Sequence, residues 1–113
     1  MSLPTEGRLL RIFVGESDRW EGRPLYEAIV LEARQRGLAG ATVTKGVMGF
    51  GAHSRIHTAK LLELSQDLPM VIEIVDAPDR IEAFMPDLEQ MVGDGLITVE
   101  RAEVRLYRSR GRT

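Results

Sequence analysis

The sequence predicts an α+β domain of order β-α-β-β-α-β, in which four antiparallel strands form one sheet and two helices cover one of its faces. Three observations predict it. Apolar residues alternate at period two in some stretches and recur at helical spacing in others. These stretches follow the order strand, helix, strand twice along the chain. Glycine turns, Gly49-Phe50-Gly51 and Gly93-Asp94-Gly95, close the second strand and the second helix.

The first half opens on Arg8–Val14, where Leu10, Ile12 and Val14 alternate with Leu9, Arg11 and Phe13. That is a strand with one mostly apolar face. Gly15 to Gly22 is a polar loop carrying Trp20. Pro24 suits a first helical turn, where its missing N–H costs nothing. Leu25, Ala28, Ile29 and Ala33 then recur at helical spacing, and Gly37 stops the helix. From Gly40 to Gly51 the chain turns β-like, with Val43 and Val47 among Thr42 and Thr44.

The second half starts with Pro69–Val75, a strand with so little polarity that it belongs in the middle of a sheet or under cover on both faces. Asp76 is placed to cap a helix and Pro78 to open it. Ile81, Phe84, Met85, Leu88, Met91 and Val92 form a helical stripe, with Pro86 inside it as an expected kink or weakened turn. Leu96 to Tyr107 is the last strand. Its phase slips, since Ile97 and Val99 share one parity and Ala102, Val104 and Leu106 the other, which predicts a bulge or break near Glu100-Arg101.

This order is the ferredoxin-like split β-α-β. The helices cover one sheet face, and the other carries Leu9 and Phe13 or their alternates. An uncovered apolar sheet face predicts an oligomer. A single domain is expected over residues 1–113, with 1–7 and 109–113 as flexible tails. Between the halves, Ala52–Leu68 is too long for a tight hairpin. It contains Leu61-Leu62-Glu63-Leu64, expected as a short helix, and is expected to be more mobile than the flanking strands.

Composition narrows the function. With 113 residues and 43% hydrophobic content the chain can bury a modest core. A formal net charge of −2 argues against a general nucleic-acid binder, which needs a basic domain. The absence of cysteine excludes disulfides and thiolate metal sites. No long apolar segment reads as a signal peptide or a membrane span, so a soluble cytoplasmic protein is the expectation.

Glycine lets a ligand approach bare backbone N–H groups. Two glycine turns, with arginines near the C-terminus, are the parts of an anion or nucleotide site, and equally the parts of plain turns. A resemblance bears on that choice. Val47-Met48-Gly49-Phe50-Gly51 followed by His57-Thr58 resembles the stretch that leads into the long loop of PII signalling proteins. Leu68–Val75 is similar to their third strand, Gly93–Ile97 to their phosphate-binding turn, and Val104–Arg108 to their arginine-bearing C-terminal segment. The nearest branch is the PII-like family called domain of unknown function 190, matched by Gly37–Val43, Gly49–Gly51, Ile56–Thr58 and Leu64–Pro69.

The resemblance implies a homotrimer that binds an adenine nucleotide, AMP or ADP, between subunits and controls a partner such as a membrane transporter or an enzyme. It implies no catalysis and no required cofactor. The implied nucleotide-binding residues are Gly49, Phe50 and Gly51 at the loop base, Gly93, Asp94 and Gly95 at the turn, and Arg105 and Arg108 reaching a neighbouring subunit's phosphates. Two departures matter. Leu96 stands where PII proteins place a lysine, which removes one phosphate-binding cation. The loop carries no tyrosine, so its uridylylation does not transfer.

Other constellations are weaker. His53 and His57 stand four apart and, on a helix, would share a face suited to a metal, as in a trimer of the copper-tolerance type. Glu16, Asp18 and Glu21 cluster beside Trp20, where acid–base work competes with a plain solvated loop. An acylphosphatase-like enzyme shares the fold. Its phosphate loop would need cations, whereas Gly15-Glu16-Ser17-Asp18 is acidic.

Overall fold

The computed structural model describes residues 5–51 and 67–109. Strand β1 spans Glu6–Gly15, followed by the two-residue strands β2 (Arg19–Trp20) and β3 (Arg23–Pro24), helix α1 (Leu25–Gln35) and β4 (Thr42–Lys45). The second half holds β5 (Pro69–Asp76), α2 (Pro78–Met91) and β6 (Leu96–Glu103). The main sheet is four-stranded in the order β4-β5-β1-β6, and its pairings are all antiparallel. This is the ferredoxin-like fold that the order of elements predicts.

Side-chain alternation decides which face meets the helices. Leu10, Ile12 and Val14 of β1 and Met70, Ile72 and Ile74 of β5 are buried under α1 and α2. The helices contribute Leu25, Ala28, Ile29 and Ala33 from one and Ile81, Phe84, Leu88 and Met91 from the other. β5 lies between β4 and β1, the interior place its low polarity predicts. α1 ends in a Schellman closure, with Gly37 N–H donating to Arg34 and Leu38 N–H to Ala33. Gly37 has φ +78° there, a conformation that costs other residues energy. Among the described residues no helix is long and apolar enough to cross a membrane.

Several expectations need correction. β6 holds one unbroken register against β1, from Phe13↔Leu96 to Glu6↔Glu103, so there is no bulge at Glu100-Arg101. Ile97 and Val99 lie opposite Ile12 and Leu10 and share their helix-facing side, whereas Ala102 lies opposite Gly7 on the open side. The strand ends at Glu103, and Val104 to Ser109 continue without an element. The parity switch therefore marks a change in which face is covered, followed by departure from the sheet. α2 holds Pro86 within its span, as the sequence places it. Glu6 and Gly7 are paired strand residues rather than tail, and the carbonyl of Thr5 accepts the N–H of Val104 at 2.6 Å. The expectations for the mobile segment and its short helix fall on residues 52–66, outside the described residues, as do residues 1–4 and 110–113.

Asp76 is not the cap of α2, whose N-cap is Ala77. It is the last residue of β5, fully buried, and its carboxylate gathers three groups. It accepts from Ala77 N–H at 2.6 Å, from Ala39 N–H at 2.9 Å and from Arg80 Nε at 3.3 Å. Arg80 also donates to the carbonyl of Gly37. One carboxylate thus ties the α1–β4 loop to the start of α2.

The open face is mixed rather than uniformly apolar. Arg11 sits at its centre and pairs with Glu73 at 2.8 Å and Glu100 at 3.2 Å. The hydrogen bond to Glu73 raises the Arg11 guanidinium further above its already high range. Leu9, Phe13, Val71 and Val75 flank this strip, half-buried in the single chain.

Candidate functional site

The two glycine turns meet. At the end of β1 a cavity of about 420 Å³ opens between Gly49-Phe50-Gly51 on one side and Asp94-Gly95-Leu96 on the other. Phe13, Val14 and Pro69 form its apolar floor, and Asp18 and Asp67 complete the wall. The strand pairing explains the meeting. Phe13 lies opposite both Leu96 and Val71, so the start of β6 and the start of β5 arrive at one end of the sheet.

Close approach, not left-handed backbone, explains the glycines. Among the described glycines Gly22 and Gly37 carry the positive φ values. A Cβ on Gly95 would stand 2.6 Å from the carbonyl oxygen of Phe13, closer than backbone atoms tolerate. A Cβ on Gly49 would reach 3.0 Å from Pro69 Cγ. Gly93 differs, with nothing within 4 Å of an added Cβ, and it does not line the cavity.

Among the described residues the lining is acidic. Asp18, Asp67 and Asp94 are its charged side chains among the described residues. Two of them are engaged with backbone: Asp18 accepts from Gly15 N–H at 2.9 Å, and Asp67 from Ser17 N–H at 3.2 Å and Ser17 Oγ at 2.9 Å. Leu96, at the position where PII proteins place a lysine, is 54% exposed on the cavity wall. Phe50, 66% exposed, also lines the cavity.

Arg105 and Arg108 do not join this cavity. They follow the far end of β6, an eight-residue strand that spans roughly 25 Å. Arg105 lines a second cavity, about 650 Å³, on the open sheet face with Leu9, Val75 and Tyr107. Either arginine can meet glycine turns of this kind only on another chain. Sequence reasoning did not place Phe13 or Asp67 at this site, and it read Asp18 only as part of the acidic loop after the first strand. Asp67 had a signal, since it stands two residues before Pro69 where the chain re-enters the sheet.

The acidic loop after β1 is used structurally. Glu16 pairs with Lys45 at 2.8 Å, and Asp18 accepts the Gly15 N–H at 2.9 Å. Glu21 and Gly22, with φ of 47° and 86°, form the tight turn between β2 and β3. His53 and His57 lie outside the described residues, among which no group of His, Cys, Asp and Glu is arranged to hold a metal.

Known proteins resemble this chain in sequence and in fold. The family described as DUF190, "Uncharacterized ACR", matches residues 7–104. The chain belongs to the DUF190 family. A UPF0166 protein of Aquifex aeolicus is 42% identical over 99 residues, covering 86% of this chain and 91% of that protein. A UPF0166 protein of Methanocaldococcus jannaschii is 32% identical over 100 residues, covering 88% and 92%. The fold is shared with CPII of Thiomonas intermedia K12, a nitrogen regulatory PII-like protein, at TM-score 0.57 and 18% identity over 88% of each chain. CPII was solved with ADP and bicarbonate, and again with ADP, AMP and bicarbonate. The DUF190 family read from the residues is thereby borne out, and the fold is shared with a PII-like protein.

Proposed function

We propose that this DUF190 protein is a PII-like regulator that binds an adenine nucleotide, AMP or ADP, in the cavity between Gly49–Gly51 and Asp94–Gly95, as part of a homotrimer that controls a partner protein. One observation carries the reading: two glycine turns more than forty residues apart in the sequence line one cavity of a size suited to a small ligand. Its apolar floor and the Phe50 ring suit a planar base, and the backbone N–H groups of the turns suit a phosphate. The ligands of CPII support the same class of molecule for a protein of this fold.

The acidic wall limits how much phosphate the cavity accepts. Three carboxylates face it, and Leu96 supplies no cation. Arg105 and Arg108 of a neighbouring chain would supply positive charge to the phosphates. AMP and ADP therefore compete better against ATP than a site with the lysine would allow. The protein works by binding and presenting a conformation, not by turnover. The metal-binding alternative rests on His53 and His57, and the acylphosphatase-like alternative meets an acidic loop in which Asp18 already accepts from Gly15 N–H.

Calorimetry of the full chain with AMP, ADP and ATP tests the reading. AMP or ADP is expected to bind more tightly than ATP. A charge-assisted hydrogen bond contributes roughly 1.5–3 kcal/mol, so the double variant Arg105→Ala/Arg108→Ala is expected to weaken ADP by about tenfold or more. ATP binding tightest, or an unchanged affinity in the double variant, would count against the assignment.

A further inference from the structure

The segment that carries Arg105 and Arg108 is anchored at one side chain. Strand pairing stops at Glu103, and the N–H of Val104 makes a last backbone bond to Thr5. Past that point Tyr107 supplies the tie: its hydroxyl donates to the carbonyl of Ala39 at 2.9 Å, 68 residues away in sequence. The post it grips is held firmly. Ala39 N–H donates to the fully buried carboxylate of Asp76, which Arg80 also contacts while donating to Gly37.

Arg105 lies between the two fastening points and Arg108 directly follows the second. Neither has an ion-pair partner among the described residues. Both are exposed, and Arg105 shares the wall of the open-face cavity with Tyr107. Two exposed guanidinium groups on a segment fastened at the Val104 N–H and the Tyr107 hydroxyl are cations open to an anionic ligand.

We propose that Tyr107 is a positioning residue for the nucleotide site of a neighbouring chain: its hydrogen bond to Ala39 fixes the Val104–Arg108 segment so that Arg105 and Arg108 meet the phosphates there. The proposal rests on the nucleotide reading above. Its physical basis is preorganisation. Arginine side chains on a free segment lose that freedom when they engage a ligand, whereas a segment already fastened loses less. Tyr107 touches no ligand itself, and its effect passes through the arginines.

The test compares full-length wild type, Tyr107→Phe, Arg105→Ala/Arg108→Ala and the triple variant by calorimetry with ADP and with adenosine. Phenylalanine keeps the ring and removes only the hydroxyl. Tyr107→Phe is expected to weaken ADP about three- to tenfold, the worth of one hydrogen bond, with adenosine unchanged. That loss is expected to vanish once both arginines are alanine, the non-additivity of residues acting as a unit. An equal loss for adenosine and ADP would make Tyr107 merely structural, and a loss that persists without the arginines would overturn the proposal. Unchanged ADP affinity in Tyr107→Phe would sink this inference alone. A wild type that binds no ADP would sink the nucleotide reading and this inference with it.

Discussion

Asp76→Ala is expected to destabilise the protein by about 2–4 kcal/mol, the largest single effect outside the apolar core. The carboxylate is fully buried and serves Ala77 N–H, Ala39 N–H and Arg80 at once. Removing it strands two backbone donors and leaves a guanidinium facing an emptied site, and such donors cost more unsatisfied than they contribute when paired. Asp76→Asn retains one acceptor oxygen and is expected to lose about half as much. Urea denaturation of the two variants against wild type checks this, with the order wild type, Asn, Ala in midpoint. An alanine variant as stable as wild type would show that water replaces the carboxylate.

Gly95→Ala is expected to cost about 1–3 kcal/mol and Gly95→Val more, because the added Cβ meets the Phe13 carbonyl at 2.6 Å and Val92 Cγ1 at 2.9 Å. The carbonyl belongs to the central strand β1 and cannot step aside cheaply. Gly93→Ala, two residues earlier in the same turn, faces open space and is expected to leave the melting temperature nearly unchanged. Thermal unfolding of this pair separates the glycine that the fold needs from the one it does not. Gly95 variants therefore make poor probes of ligand approach, since they disturb the turn before any ligand arrives. Equal melting temperatures for Gly93→Ala and Gly95→Ala would contradict this reading of the turn.

The elements and their order were legible because the core is built on strict periods. Leu10, Ile12 and Val14 alternate, Ile81, Phe84, Leu88 and Met91 step at helical spacing, and each set is buried where its period puts it. What failed depended on neighbours rather than periods. The parity switch at Glu100-Arg101 looked like a bulge because sequence gives no sign that Ala102 covers the open face while Ile97 and Val99 face the helices. Asp76 looked like a helix cap because its second donor, Ala39, lies 37 residues away. The small hairpin at Arg19–Pro24 was hidden because each strand has two residues, too few to show alternation.

The site was legible in the same uneven way. The glycine turns stand out by their spacing and their likeness to PII proteins, and Gly49–Gly51 and Asp94–Gly95 line one cavity. Its acidic wall was hidden, because Asp18, Asp67 and Asp94 come from three separate connections. So was the distance of the arginines, which depends on β6 carrying Arg105 away from the turns.

Assembly and ligand meet in one proposed site: an adenine nucleotide occupies a cavity that one chain leaves acidic and a neighbouring chain's arginines complete. Native mass spectrometry of the full chain at micromolar concentration with excess ADP probes both at once. The expected species lies near three times the 12.6 kDa chain mass and carries up to one ADP per chain. A monomer without ADP, or a trimer that takes up none, would refute the proposed site.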